Sequence, residues 1–191
     1  TIQEAKISDQ SLEINNGVTN KHISSRIAAI AAQFWSENVE SMSFQDQLEI
    51  SVAIYMGMMV SDKEMKHLLK KNLRNQENIE SMSIRFLNML GWLLRSLMRT
   101  DIDLDDLLTK LGQFHRNMGI KASHFKPMLD SMHETLSYYF ATKYSVKVKY
   151  SMDNIFRVAC NIMMAVSNST LAEFMVEDDC LKSLKDCLKS A

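Results

Sequence analysis

With 191 residues and 46% hydrophobic side chains, the chain has the length and apolar content for a single domain of ordinary size with a sizeable core. One proline and five glycines, set beside abundant Leu, Met, Lys, Glu, Gln and Ala, predict an all-α protein. The 22 basic and 23 acidic side chains leave a formal charge of −1 with no Lys/Arg stripe, which argues against a nucleic-acid partner, and the longest apolar run, Met89 to Leu94, falls far short of the roughly 20 residues that cross a bilayer.

Residues 1 to about 20 mix polar groups with isolated apolar ones around the breaker Asn15-Asn16-Gly17, and read as an N-terminal extension. Ile23, Ile27, Ile30, Ala31 and Phe34 then recur at helical spacing. Beyond Ser41-Met42-Ser43 a second stripe runs through Leu48, Val52, Tyr55, Met56 and Met59. Ser61 or Asp62 is placed to cap a short helix that turns Met65, Leu68 and Leu69 inward. Ile79, Met82, Phe86, Met89, Leu90, Leu93 and Leu97 predict the inner face of a long helix ending near Arg99-Thr100-Asp101.

The next helix carries the most informative residue. Leu104, Leu107, Leu108 and Leu111 lie eleven, eight, seven and four positions before His115, so the imidazole shares their apolar face. A buried imidazole needs partners for both ring nitrogens. Either protein groups supply them all, or a metal takes one nitrogen while the other bonds a nearby carbonyl such as that of Leu111. Two further stripes follow, Phe125, Met128, Leu129, Met132, Leu136, Tyr139 and Phe140, then Met152, Ile155, Phe156, Ala159, Ile162, Met163 and Val166. Between them Ser145-Val-Lys-Val-Lys-Tyr150 alternates like a strand but has no partner run, and reads as an extended connection.

The spaced pattern of about twenty residues from Leu108 through Leu111-Gly112-x-x-His115, Gly119-Ile120, Ser123 and Phe125 to Leu129 resembles the globin family where the helix with the proximal haem histidine turns into the next long helix, with Ser123 as its cap. It looks most like the neuroglobin and cytoglobin branch. The resemblance implies a globin fold of about seven to eight helices, here over residues 21–169, with extensions at 1–20 and 170–191. In the second extension Leu181, Leu184 and Leu188 behind Glu177-Asp178-Asp179 suggest a weak amphipathic helix.

The same resemblance implies haem b (iron protoporphyrin IX) as cofactor and His115 as its axial iron ligand. The family's distal residue lies roughly thirty positions earlier, which falls at Met82 or Ser83; Met82, on the stripe with Ile79 and Phe86, is the one expected at the pocket, where a thioether is a potential iron ligand. His67, 48 positions before His115 and flanked by Lys66 and Lys70, reads as solvated. Tyr55 either donates its hydroxyl to a bound ligand or packs with the hydroxyl at the rim. Phe86 and Leu68 or Leu69 are expected to wall one side of the haem, and Leu111, Ile120, Phe125 and Met128 the other.

No other constellation competes. His22, His124 and His133 lack zinc spacing, and there is neither a phosphate loop nor a nucleophile motif, so no catalytic residue is assigned. Asp101, Asp103, Asp105 and Asp106 lack the glycine and terminal glutamate of a calcium loop and belong at the start of the His115 helix. Cys180 and Cys187, about 10 Å apart along one helix, cannot bridge within it, and Cys160 reads as a small core residue. Three cysteines and no basic, apolar leader suggest a cytoplasmic setting. The expected activity is binding of a small diatomic ligand (oxygen, nitric oxide or carbon monoxide) or electron transfer, in sensing or redox work. The alternative is a haem-free globin-like module for a protein partner. A protein partner or a second copy would meet the chain through its terminal extensions.

Overall fold

A computed structural model describes residues 23–73, 78–99 and 101–165. The expectations for 1–22 and for the chain beyond Ala165, including Val166, Cys180, Cys187 and the Leu181-Leu184-Leu188 stripe, lie outside the described residues. Those described form seven α-helices and no strand.

Local chemistry sets most of the boundaries. Helix α1, Ser25–Phe34, starts where the Ser24 hydroxyl accepts the Ile27 N–H, and it runs on into a π-helical turn, Trp35–Glu40. Helix α2, Phe44–Ser61, is capped by Ser43, which accepts from the Asp46 N–H. Asp62 Oδ1 then accepts the N–H groups of Glu64 and Met65 at 2.8 and 3.1 Å and starts α3, Lys63–Leu73. Asn78 caps α4, Ile79–Ser96, and Asp103 caps α5, Leu104–Asn117, each through its side-chain oxygen. Each cap satisfies a helix donor that has no partner within its own helix. Asp105 and Asp106 stand in the first turn of α5, where the helix dipole favours them.

Two expectations are corrected at the later junctions. Helix α6, Phe125–Phe140, is entered through a 3-10 turn, Ala122–His124; Ser123 lies inside that turn, and no side chain caps α6. The segment after Ser145 is not extended: α7, Val146–Ala165, begins there, with the Ser145 carbonyl accepting the Lys149 N–H at 2.9 Å. The alternation misled because Val146 lies in an exposed first turn, 86% accessible, and does not mark a buried face.

Helix α2 is clasped between α4 and α6, while α7 packs against both α1 and α5. A helix covered on two sides can be apolar nearly all round, so its period is a weak guide. The buried side of α2 runs through Ile50, Ile54 and Met58, whereas Met56 of the expected stripe is 47% exposed. Small residues let the axes come close. Ser51 and Ser83 hydroxyls meet at 3.0 Å between α2 and α4, and Ser131 donates to the Ile54 carbonyl at 2.7 Å between α6 and α2. The core of Ile50, Ile54, Leu87, Leu94, Met132, Leu136, Met152, Ile155 and Phe156 fills the interior. Helices α4 and α5 scarcely touch, and a cleft lies between them. Among the described residues no helix is long and apolar enough to cross a membrane.

Candidate functional site

The cleft, its open mouth included, holds about 790 Å³ of empty space. Helix α4 supplies Phe86, Met89, Leu90 and Leu93; α5 supplies Leu108, Leu111 and His115. Ile120, His124, Phe125 and Met128 close it from the α5–α6 junction, Met65 and Leu69 from α3, and Phe156, Ala159, Cys160 and Met163 from α7. Tyr55 of α2 sets its ring edge-on to Phe86 with centroids 5.6 Å apart.

His115 reaches the cleft because α5 presents the face that also carries Leu108 and Leu111. Burial holds its pKa down at about 4, and the Leu111 carbonyl one turn earlier works weakly against that shift. The imidazole is therefore neutral near pH 7, the form that ligates a metal. Nδ1 is buried and makes no hydrogen bond of good geometry; the Leu111 carbonyl is close enough to favour a proton on the ring but is not well aligned with it. Phe125 approaches the imidazole edge-on at 6.1 Å.

Seven of the nine expected site residues meet here: His115, Phe86, Leu111, Ile120, Phe125, Met128 and Tyr55. The other two do not line the cleft. Met82 packs half-buried against the core one helical turn before Phe86, and Met89, seven positions further along the same stripe, is the methionine at the wall. Phe86 itself, 29 positions before His115, lines the cleft. Leu68 is turned toward the α5–α6 corner, its Cδ2 3.3 Å from where a Cβ on Gly119 would lie, and Leu69 takes the wall position. His67 is exposed, as its lysine neighbours indicated.

His124 and Cys160 line the cleft without having been singled out for it. His124 is fully buried, and its Nδ1 accepts the Lys121 N–H at 3.1 Å. A polar residue just before an apolar stripe carries no periodic signal of burial. The Cys160 thiol is pushed up to about 12 by burial, so it stays protonated and is not a thiolate ligand. His133 is buried elsewhere, its Nδ1 2.6 Å from the Tyr144 hydroxyl and its Nε2 3.5 Å from Asp153. Among the described residues no group of three or more His, Cys, Asp or Glu side chains forms a metal cluster.

A largely apolar slot with the neutral imidazole of His115 on its wall fits a flat, apolar cofactor whose metal needs a single protein ligand. The family model for globins matches residues 53–163, a span that contains every residue lining the cleft. No curated protein matches the chain.

Proposed function

The chain belongs to the globin family, and we propose that it is a haem-binding member that holds haem b through His115 and handles a small diatomic ligand or an electron. The observation that carries this reading is the neutral imidazole of His115 on the wall of a largely apolar cleft. Haem iron, when bound, supplies the centre that takes a diatomic ligand or changes oxidation state.

The protein's part is to hold, orient and exclude water. His115 would offer an unprotonated nitrogen to the metal, with Phe125 edge-on to its ring limiting rotation. Phe86, Met89, Leu90 and Leu93 form the facing wall, and Ile120 and Met128 complete the near side. These side chains leave little for water to bond to. Tyr55 places its ring beside Phe86 at the cleft. Helix α4 has no histidine anywhere in Ile79–Ser96, which favours sensing or redox work over oxygen transport. Within the family, the Leu111-Gly112-x-x-His115 spacing followed by Gly119-Ile120 supports a place near the neuroglobin and cytoglobin branch. We place residues 1–20 and 170–191 outside the haem-binding region, where they are available to a protein partner or a second copy, and we place the protein in the cytoplasm.

Titration of the purified protein with haemin tests the reading. A saturable, one-to-one complex with an intense Soret band is expected. Absence of a defined complex favours the haem-free interaction module.

A further inference from the structure

His124 is fully buried and lines the cleft. Its Nδ1 is already committed as acceptor to the Lys121 backbone N–H, so the neutral ring carries its proton on Nε2. That Nε2 is buried without a well-aligned partner; the nearest carboxylate oxygen, Oε2 of Glu64, is 3.3 Å away. A buried donor left half-satisfied is costly, which marks it as a group with an acceptor to gain. The other Glu64 oxygen takes the Lys121 ammonium at 2.5 Å. Two donors from the α5–α6 junction thus converge on one carboxylate, with His124 the member of the trio that lines the cleft, and the pair holds the Glu64 carboxyl below its ordinary range, Lys121 first and His124 second. Glu64 belongs to α3, and its side chain is 52% exposed, so it can turn to water.

We infer that Lys121 and His124 form a carboxylate receptor at the edge of the cleft, which exchanges Glu64 for a propionate of the bound porphyrin. The inference rests on the haem reading above. It deepens that reading by assigning the cofactor's polar edge to a lysine and a buried histidine, and by making Glu64 a competitor for them. No charge is created or lost in the exchange: one carboxylate leaves for solvent as another arrives.

The sign of one substitution separates this from a simple clamp that ties α3 to the junction. Haemin and its dimethyl ester, which lacks free carboxylates, are titrated against quenching of tryptophan fluorescence, since Trp92 lines the cleft. The wild-type protein should prefer haemin by roughly ten-fold or more, the size of a charge-assisted contact. Lys121→Met and His124→Phe should each erode that preference while leaving ester binding little changed. Glu64→Ala should tighten haemin several-fold and leave the ester unaffected. Because Lys121 is a 62% exposed surface side chain, its variant keeps the test decisive if His124→Phe fails to fold. Equal weakening of both porphyrins in Glu64→Ala, or an undiminished preference in Lys121→Met, would overturn the receptor while leaving the haem reading intact. Failure of the wild-type protein to bind either porphyrin would instead remove the haem reading and the receptor with it.

Discussion

Gly112 lies against the backbone of Met163 so closely that a Cβ placed on it would fall 2.3 Å from the Met163 carbonyl oxygen and 2.7 Å from its Cα. No flexible side chain is there to yield. The glycine of Leu111-Gly112-x-x-His115 is thus what lets α5 rest on α7, and it fixes where His115 stands relative to the opposite wall.

Gly112→Ala is therefore predicted to destabilise the fold, although Gly to Ala inside an exposed helix ordinarily gains stability. The overpacking cost should be about 1–3 kcal/mol, read as a lower urea midpoint with an unchanged m-value. A midpoint equal to or above that of the parent would show that α5 and α7 can separate at no cost.

The acid limb of the stability curve reports on His115 in the haem-free protein. Its folded pKa of about 4 lies below the ordinary value of 6.5, so the unfolded chain takes the proton first. The stability this represents is present in full above 6.5, falls as pH drops from there, and is gone below about 4. Its size is on the order of 3 kcal/mol. His133 shifts the same way, chiefly through burial, with Asp153 opposing. His115→Leu should flatten the curve between pH 6.5 and 4 but leave the His133 share. A parallel curve in the variant would mean that His115 is solvated.

The corrected distal wall makes a contrast between two histidine substitutions. Phe86→His puts an imidazole on the cleft opposite α5, whereas Met82→His puts one a turn outside it. With haemin bound, Phe86→His is expected to give a low-spin, six-coordinate spectrum. Met82→His is expected to keep the parent spectrum. The reverse outcome would restore Met82 to the pocket and shift the α4 register by a turn.

The sequence made the helices legible through their apolar stripes, and Asp62 was readable as a cap; the caps at Ser24, Ser43, Asn78 and Asp103 came from the structure. The near side of the cleft was legible for a similar reason. Leu111, His115, Ile120, Phe125 and Met128 are fixed by one helix face and one corner. The far wall was harder, because α4 keeps its stripe over five turns and spacing alone does not say which turn faces the cleft. Hence Met82 was expected where Met89 lines the cleft, and of the Leu68 and Leu69 alternatives it is Leu69 that does so. His124 was invisible because its burial depends on the fold of the α5–α6 junction and on Glu64, 60 residues earlier in the chain.

The central claim is that His115 is the protein ligand to haem iron. Its most direct test is the absorption spectrum of His115→Ala after addition of haemin, recorded with and without imidazole in the buffer. The account predicts that the variant keeps its helix content but forms no defined complex alone, and that free imidazole restores the parent Soret and visible bands. A variant that gives the parent spectrum without imidazole would contradict it.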